Sequence, residues 1–270
     1  MKPWPKSYIV ALFIAALSLI PVGVLITLAS DSSQIFDAYN LGILTNTLLL
    51  MMLTAIGAML IGVPLAILLT YVQLPFKKLW LVLLAAPLAM PSYLGAFTFY
   101  ASFGSGGEIY NLTSIETPTF EGLIGSSIIM ALYTYPFVLL STRAALSSLD
   151  ASQVYAARTL GMSLFASIYK VVLPRVANGI TAGALLSSLY ALSDFGTPAI
   201  MGLDTFTRVI YVEYNAFGLS QAAMLSLQLL VIVSLVLYLE SRVKGSQEPP
   251  GRHLLFWPKT TQVFAMAVGV

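Results

Sequence analysis

The chain has no cysteine and a single histidine, and only 9% of its 270 residues are charged. The first absence excludes disulfides, thiolate zinc sites and cysteine nucleophiles, and says nothing about compartment. The second removes most routes to general-base chemistry, and no His-Glu-x-x-His pattern occurs. No G-x-x-x-x-G-K-[ST] phosphate cradle is present either, so a nucleotide site of that kind lies elsewhere. The scarcity of charge sets the solvent. With 58% hydrophobic residues and a mean hydropathy of +0.88, the chain cannot hide its apolar side chains in a soluble globule without leaving large exposed patches. The bilayer is the solvent that fits.

A hydrocarbon core of about 30 Å is crossed by about 20 apolar residues, and a window of that length finds six spans. They run from Ser7 to Ala29, Leu41 to Val72, Leu79 to Phe103, Leu123 to Leu146, Val176 to Met201 and Ser220 to Leu239. The first follows Lys2 and Lys6 like a signal peptide, but it is too long for one and no small-x-small cleavage site follows, so it reads as a retained helix. Orientation follows from the basic residues. Lys2, Lys6, Lys77, Lys78, Arg143, Arg158, Lys170, Arg175, Arg242, Lys244, Arg252 and Lys259 all fall on one side of a six-span topology, and only Arg208 dissents. The opposite loops carry Asp31, Asp37, Glu108, Glu116, Glu121, Asp204 and Glu213. The N-terminus and the loop around Tyr155 are therefore expected in the cytoplasm.

These spans make residues 1–243 a transmembrane domain, with 143–175 as a cytoplasmic loop inside it and 244–259 as a polar linker. A new apolar run over 260–270 rises only about 16 Å at 1.5 Å per residue, too little to cross. It reads as the start of a truncated seventh span, with a surface-lying tail as the alternative.

The loop carries the most information. Between Tyr155 and Pro174 small residues, Ala156, Ala157 and Gly161, alternate with Leu160 and Leu164. Small side chains make a strip that a partner's backbone can approach closely, and Leu160, Leu164 and Ile168, at four-residue spacing, are expected to bury against a groove. Gly161 also suits a helix end, with Met162 and Ser163 as the turn. Pro174, after Leu173, fits the first turn of the next membrane helix, where its missing donor would be unpaired anyway.

Tyr155-Ala156-Ala157, then Gly161, Val171, Leu173 and Pro174 resemble, in spacing, the Glu-Ala-Ala loop of binding-protein-dependent ABC transporter permeases. Tyr155 stands where that loop has Glu and Val171 where it has Ile. Asn46-Thr47-Leu48, Gly62-Val63-Pro64-Leu65-Ala66 and Pro87-Leu88-Ala89-Met90-Pro91 are similar to the core of the same family. Leu192-Ser193-Asp194-Phe195-Gly196-Thr197, with Thr205-Phe206-Thr207 and Ile210-Tyr211, is similar to the iron(III) permeases within it. The resemblance implies an all-α, six-helix bundle of the type I ABC permease kind in a bacterial inner membrane, forming the solute path of an importer. It implies separate ATPase subunits that bind the ATP and grip the loop, an extracytoplasmic solute-binding protein, and a second permease half from a double-length chain or a homodimer. It implies lipid as the surroundings, and no cofactor, metal or nucleic acid. Related branches carry thiamine, sulfate, molybdate, polyamines or phosphonates.

Asp194 is the one acid inside an apolar span. Placing a carboxylate at a helix centre costs about 2.5–3.5 kcal/mol on insertion scales, so such residues usually face a cavity or a partner. With Phe195 and Gly196 it is a candidate gate or substrate path. The alternative is a helix terminator, because Asp194, Gly196 and Pro198 are turn residues. Pro64, Pro87 and Pro91 either kink helices or merely pack, and Tyr93, Phe97, Phe99 and Tyr100 read as interfacial anchors. An intramembrane enzyme would need a second acid or a base, which is missing; a channel or secondary-transporter half would not need the ordered loop.

Overall fold

In the computed structural model, residues 6–30, 38–104, 107–114, 120–149, 152–216 and 218–245 are described, and among them there is no strand. All of the linker after its first two residues, 246–259, and the expected seventh segment, 260–270, lie outside the described residues. The helices are α1 (Lys6–Ala29), α2 (Ala38–Tyr71), α3 (Lys77–Ala85), α4 (Ser92–Phe103), α5 (Glu108–Thr113), α6 (Gly122–Ser147), α7 (Ser152–Thr159), α8 (Leu164–Ser167), α9 (Leu173–Ser193), α10 (Gly196–Met201), α11 (Phe206–Asn215) and α12 (Leu219–Gly245). Five runs are long and apolar enough to cross a membrane, and six if the bent pair around Pro91 is one crossing.

That bent pair corrects the third expected span. Leu79 to Phe103 is not one rod: Lys77–Ala89 and Ser92–Thr113 meet at 88°. Pro91 removes an amide donor and pushes the residue before it out of helical geometry, and Met90 is extended at φ −100°, ψ 134°. The nine residues of α3 rise only about 14 Å, so this half cannot cross alone.

Three helices make the core. α6 is held between α2 and α9, and Ala58, Ala66 and Leu69 of α2 meet Tyr135, Val138, Leu139 and Leu146 of α6 and Val176 of α9. In lipid there is little hydrophobic drive between helices, so close backbone approach and interhelical hydrogen bonds carry more of the association. Both are present. A Cβ at Gly62 would lie 2.8 Å from the Tyr135 carbonyl oxygen, and one at Gly183 would lie 2.6 Å from Val138 Cα. Ser187 Oγ donates across to the Thr134 carbonyl at 3.1 Å, and Ser188 Oγ to the Met51 carbonyl at 3.4 Å. α1 stands apart from this core and packs on α12; most of its side chains are exposed, as a lipid-facing helix requires.

Candidate functional site

Two groups of candidate residues lie near opposite ends of α9. At its start, α7 and α8 form a helix–turn–helix around Gly161. Gly161 has φ +86°, a conformation that glycine adopts without strain and other L-residues resist. Its amide bonds the Arg158 carbonyl at 3.0 Å, and the Met162 amide bonds the Ala157 carbonyl at 3.2 Å. This pair of bonds is the Schellman end of a helix, which satisfies carbonyls the last turn would otherwise leave open. Ser163 then caps α8, its Oγ accepting from the Ala166 amide at 3.2 Å.

The turn changes how the loop's apolar residues are arranged. Because α7 ends before Gly161, Ala157 and Gly161 are not successive turns of one helix, and Leu160, Leu164 and Ile168 do not form a helical row. Leu160 is 84% exposed and Phe165 80%, with Tyr155, Ala156, Leu164 and Tyr169 also exposed, while Ala157 is buried. A Cβ at Gly161 would meet nothing within 4 Å, so the close approach expected there is not made within this chain. Phe165 and Tyr169 stack at 6.5 Å. An apolar surface of Tyr155, Leu160, Phe165 and Tyr169 thus stands clear of the bundle.

Pro174 lies where its missing donor led it to be expected, in the first turn of α9. It is exposed there, but that helix does not start afresh: Leu164–Ser193 is one run. The residues Ile168–Val172 wind as a π turn in which the Leu173 amide reaches back to the Ile168 carbonyl. One extra residue per turn just ahead of a proline absorbs the missing donor without breaking the rod. Leu173 is half-buried on the same run.

At the other end, α9 stops at Ser193 and Asp194 is extended at ψ 129°. Its carboxylate accepts from Ser92 Oγ at 2.6 Å and from the Thr197 amide at 2.9 Å, and its carbonyl accepts from Thr207 Oγ1 at 2.8 Å. Asp194 thereby ties α4 and α11 to the end of α9, and anchors the start of α10 through the Thr197 amide. Phe195 is 39% exposed and packs on Tyr211 at 4.8 Å, and Gly196 starts α10 against Tyr93. Asn46 Nδ2 donates to the Asp204 carbonyl at 3.1 Å, and Thr47 Oγ1 accepts from the Phe206 amide at 3.2 Å. The Asn46-Thr47 and Thr205-Phe206-Thr207 motifs therefore belong to one junction. Arg208, the dissenting cation, is paired with Asp204 one turn earlier.

Ser92 and Thr207 were not among the expected site residues; a serine directly after a helix-breaking proline is the signal that could have pointed to the first, and the second stands in the Thr205-Phe206-Thr207 motif already noted. Among the described residues no group of three or more His, Asp or Glu side chains is placed to hold a metal.

Residues 58–245 match the family model described as binding-protein-dependent transport system inner membrane component. An Fe(3+)-transport system permease protein of Haemophilus influenzae is 31% identical over 206 residues, covering 76% of the chain and 38% of that relative. The chain thus spans well under half of that relative's length. A probable molybdenum ABC transporter permease protein of Haloferax volcanii is 29% identical, covering 79% of the chain and 80% of the relative. Among solved structures, a bacterial alginate ABC transporter in complex with an alginate-pentasaccharide-bound periplasmic protein aligns with a TM-score of 0.65 at 16% identity, over 88% of the chain and 93% of its own.

Proposed function

The chain belongs to the family of binding-protein-dependent transport system inner membrane components, and we propose that it is a permease subunit of an ATP-driven importer whose cargo is iron(III). It crosses the inner membrane with its N-terminus and the α7–α8 turn in the cytoplasm. Two permease halves frame the path, a binding protein delivers solute to the Asp194 end, and ATP hydrolysis takes place in separate subunits. The observation that carries this reading is the helix–turn–helix from Ser152 to Val172, which turns at Gly161, leaves Tyr155, Leu160, Phe165 and Tyr169 exposed, and continues from Leu164 into α9. A rigid rod from the exposed turn to Asp194 gives a motor at one end leverage on the junction at the other. ATP-driven closure of the motors then shifts the population between inward-open and outward-open packings.

Iron(III) as cargo rests on the Leu192–Thr197 and Thr205–Tyr211 residues and on the Haemophilus relative. The Haloferax relative supports a second reading, an importer of the same class for a molybdenum species. Uptake by cells carrying the complete transport operon separates them. Energy-dependent accumulation of 55Fe, abolished by deletion of this gene and unaffected by molybdate, is the expected result; accumulation of 99Mo alone replaces iron with the second cargo.

A further inference from the structure

We propose that the corner between α2 and α3 is a binding site for an anionic phospholipid, with Lys77 and Lys78 holding the headgroup and the exposed apolar face of α3 lying along the acyl chains. The inference needs the chain in a bilayer and does not depend on the cargo.

The charge pattern selects the sign of the ligand. From Ala38 to Gly107 the chain carries no Asp or Glu, and Lys77 and Lys78 are its only Lys or Arg residues. Folding does not supply what the local sequence lacks: among the described residues no carboxylate pairs with either lysine. Lys78 is exposed. Lys77 is half-buried, and its Nζ lies 3.5 Å from the Thr70 carbonyl oxygen, at the long limit of a hydrogen bond. Two adjacent cations therefore stand at this corner with room for an outside anion.

The neighbouring side chains select which anion. Phe76, directly before the lysines, is 81% exposed at φ +54°, a conformation that a bulky residue seldom adopts. On α3, Leu79, Trp80 and Leu83, three and four residues apart, share one face and are exposed. Leu81 and Leu84 pack with Leu74 on the bundle core. The helix is thus apolar toward the core and apolar away from it. Against water the outer face would be a large uncovered patch; against a bilayer it is a lipid-facing surface, with Trp80 at the depth where tryptophan is enriched and the lysines reaching to the headgroups. A free inorganic anion would satisfy the lysines and leave Phe76, Leu79, Trp80 and Leu83 uncovered. A phospholipid satisfies both, because it carries the charge and the hydrocarbon on one molecule.

The packing also selects the leaflet. Leu74, Leu81 and Leu84 share their cluster with Leu149, Val154 and Leu173, so the corner lies at the α7–α8 end of the bundle. Attraction of a lysine to an anionic surface corresponds to about fivefold per residue. Two lysines are expected to favour an anionic over a neutral lipid by about tenfold or more, and by less as salt screens them.

The test reads quenching of Trp80 fluorescence by brominated lipid in the complete transporter, reconstituted in phosphatidylcholine vesicles. The Trp80 signal is the difference between the wild-type transporter and Trp80→Phe. Brominated phosphatidylglycerol is expected to reach half-maximal quenching at a mole fraction at least fivefold lower than brominated phosphatidylcholine. The two half-points are expected to coincide in Lys77→Gln/Lys78→Gln and to stay apart in Lys77→Arg/Lys78→Arg, which keeps the charge. Lys78→Gln alone, at an exposed position, is expected to give an intermediate ratio and decides the matter if the double variant does not fold. Half-points that coincide in the wild type, or a preference unchanged in the glutamine variants, overturn the site. Quenching by neither lipid also overturns it, because an ATPase or the second permease half then covers α3. So does a preference abolished by inorganic phosphate but not by sodium chloride of equal ionic strength, since the lysines then hold a free anion.

Discussion

Ser92 and Asp194, 102 positions apart in the chain, are joined by a 2.6 Å hydrogen bond in which the serine hydroxyl donates to the carboxylate. Ser92 is buried and directly follows Pro91 at the bend between α3 and α4, so the bond fastens the bend to the end of α9. The other carboxylate oxygen holds the start of α10 through the Thr197 amide. Removing one partner of a hydrogen bond to a charged group costs about 1–3 kcal/mol. Ser92→Ala is expected to lower the unfolding midpoint in detergent, Asp194→Ala to lower it further because two bonds go, and Asp194→Asn least. The same series separates two roles. If Asp194 only ends the helix, Asp194→Asn transports normally per folded molecule; if its charge serves the cargo, uptake falls while the midpoint holds.

Gly161 calls for a different measurement, because its importance comes from conformation and not from contact. Gly161→Ala meets no atom but must hold φ near +86°, which is expected to weaken the α7 end by about 1 kcal/mol. Gly161→Asn, better tolerated in that conformation, should lie between the two. Gly161→Trp should insert in the membrane normally yet lose co-purification of the ATPase. Retained ATPase with normal uptake in the Trp variant removes the docking role of the turn.

The absence of cysteine from these 270 residues makes the topology measurable, since any thiol introduced here is the only one among them. Lys78→Cys, Leu112→Cys and Tyr155→Cys all alter exposed positions. If the 88° pair is a broken crossing, a membrane-impermeant maleimide labels Leu112→Cys in intact cells, and the other two only after permeabilisation. If the pair re-enters on one side, Lys78→Cys and Leu112→Cys label together, and the placing of every basic loop on one face fails.

What the chain reveals before it is folded depends on whether a feature is local. Gly161 as a helix end, Ser163 as the turn after it, and Asp194 among turn residues are decided by a few neighbouring residues, and they are readable. The five long apolar runs are readable for the same reason. The right-angle bend at Met90–Pro91 was not, because proline in a membrane helix is compatible with a straight rod, a kink or a break, and distant Asp194 takes part in holding this one. The row of Leu160, Leu164 and Ile168 failed because helical spacing was extended through a turn. The union of Asn46-Thr47 with Thr205-Phe206-Thr207 could be noticed as two motifs but not as one junction, since a separation of 159 positions leaves no periodic trace.

The bundle's core makes one last prediction, in which the same substitution has opposite effects at two places on α2. At Gly42 a new methyl meets nothing within 4 Å, whereas at Gly62 it falls 2.8 Å from the Tyr135 carbonyl oxygen and 2.9 Å from the Leu139 amide nitrogen. Those atoms are backbone of α6 and cannot swing aside as a flexible side chain would. Gly62→Ala must therefore push α2 and α6 apart along the Ala58–Ala66 seam, loosening the contacts of Val138 and Leu139, and overpacking of this kind typically costs about 1–3 kcal/mol. Gly42→Ala gains the higher helix propensity of alanine, up to about 1 kcal/mol, and is expected to be neutral or stabilising. Thermal unfolding of the two variants in one detergent checks the contrast. Equal midpoints would mean that α2 and α6 do not meet at Gly62.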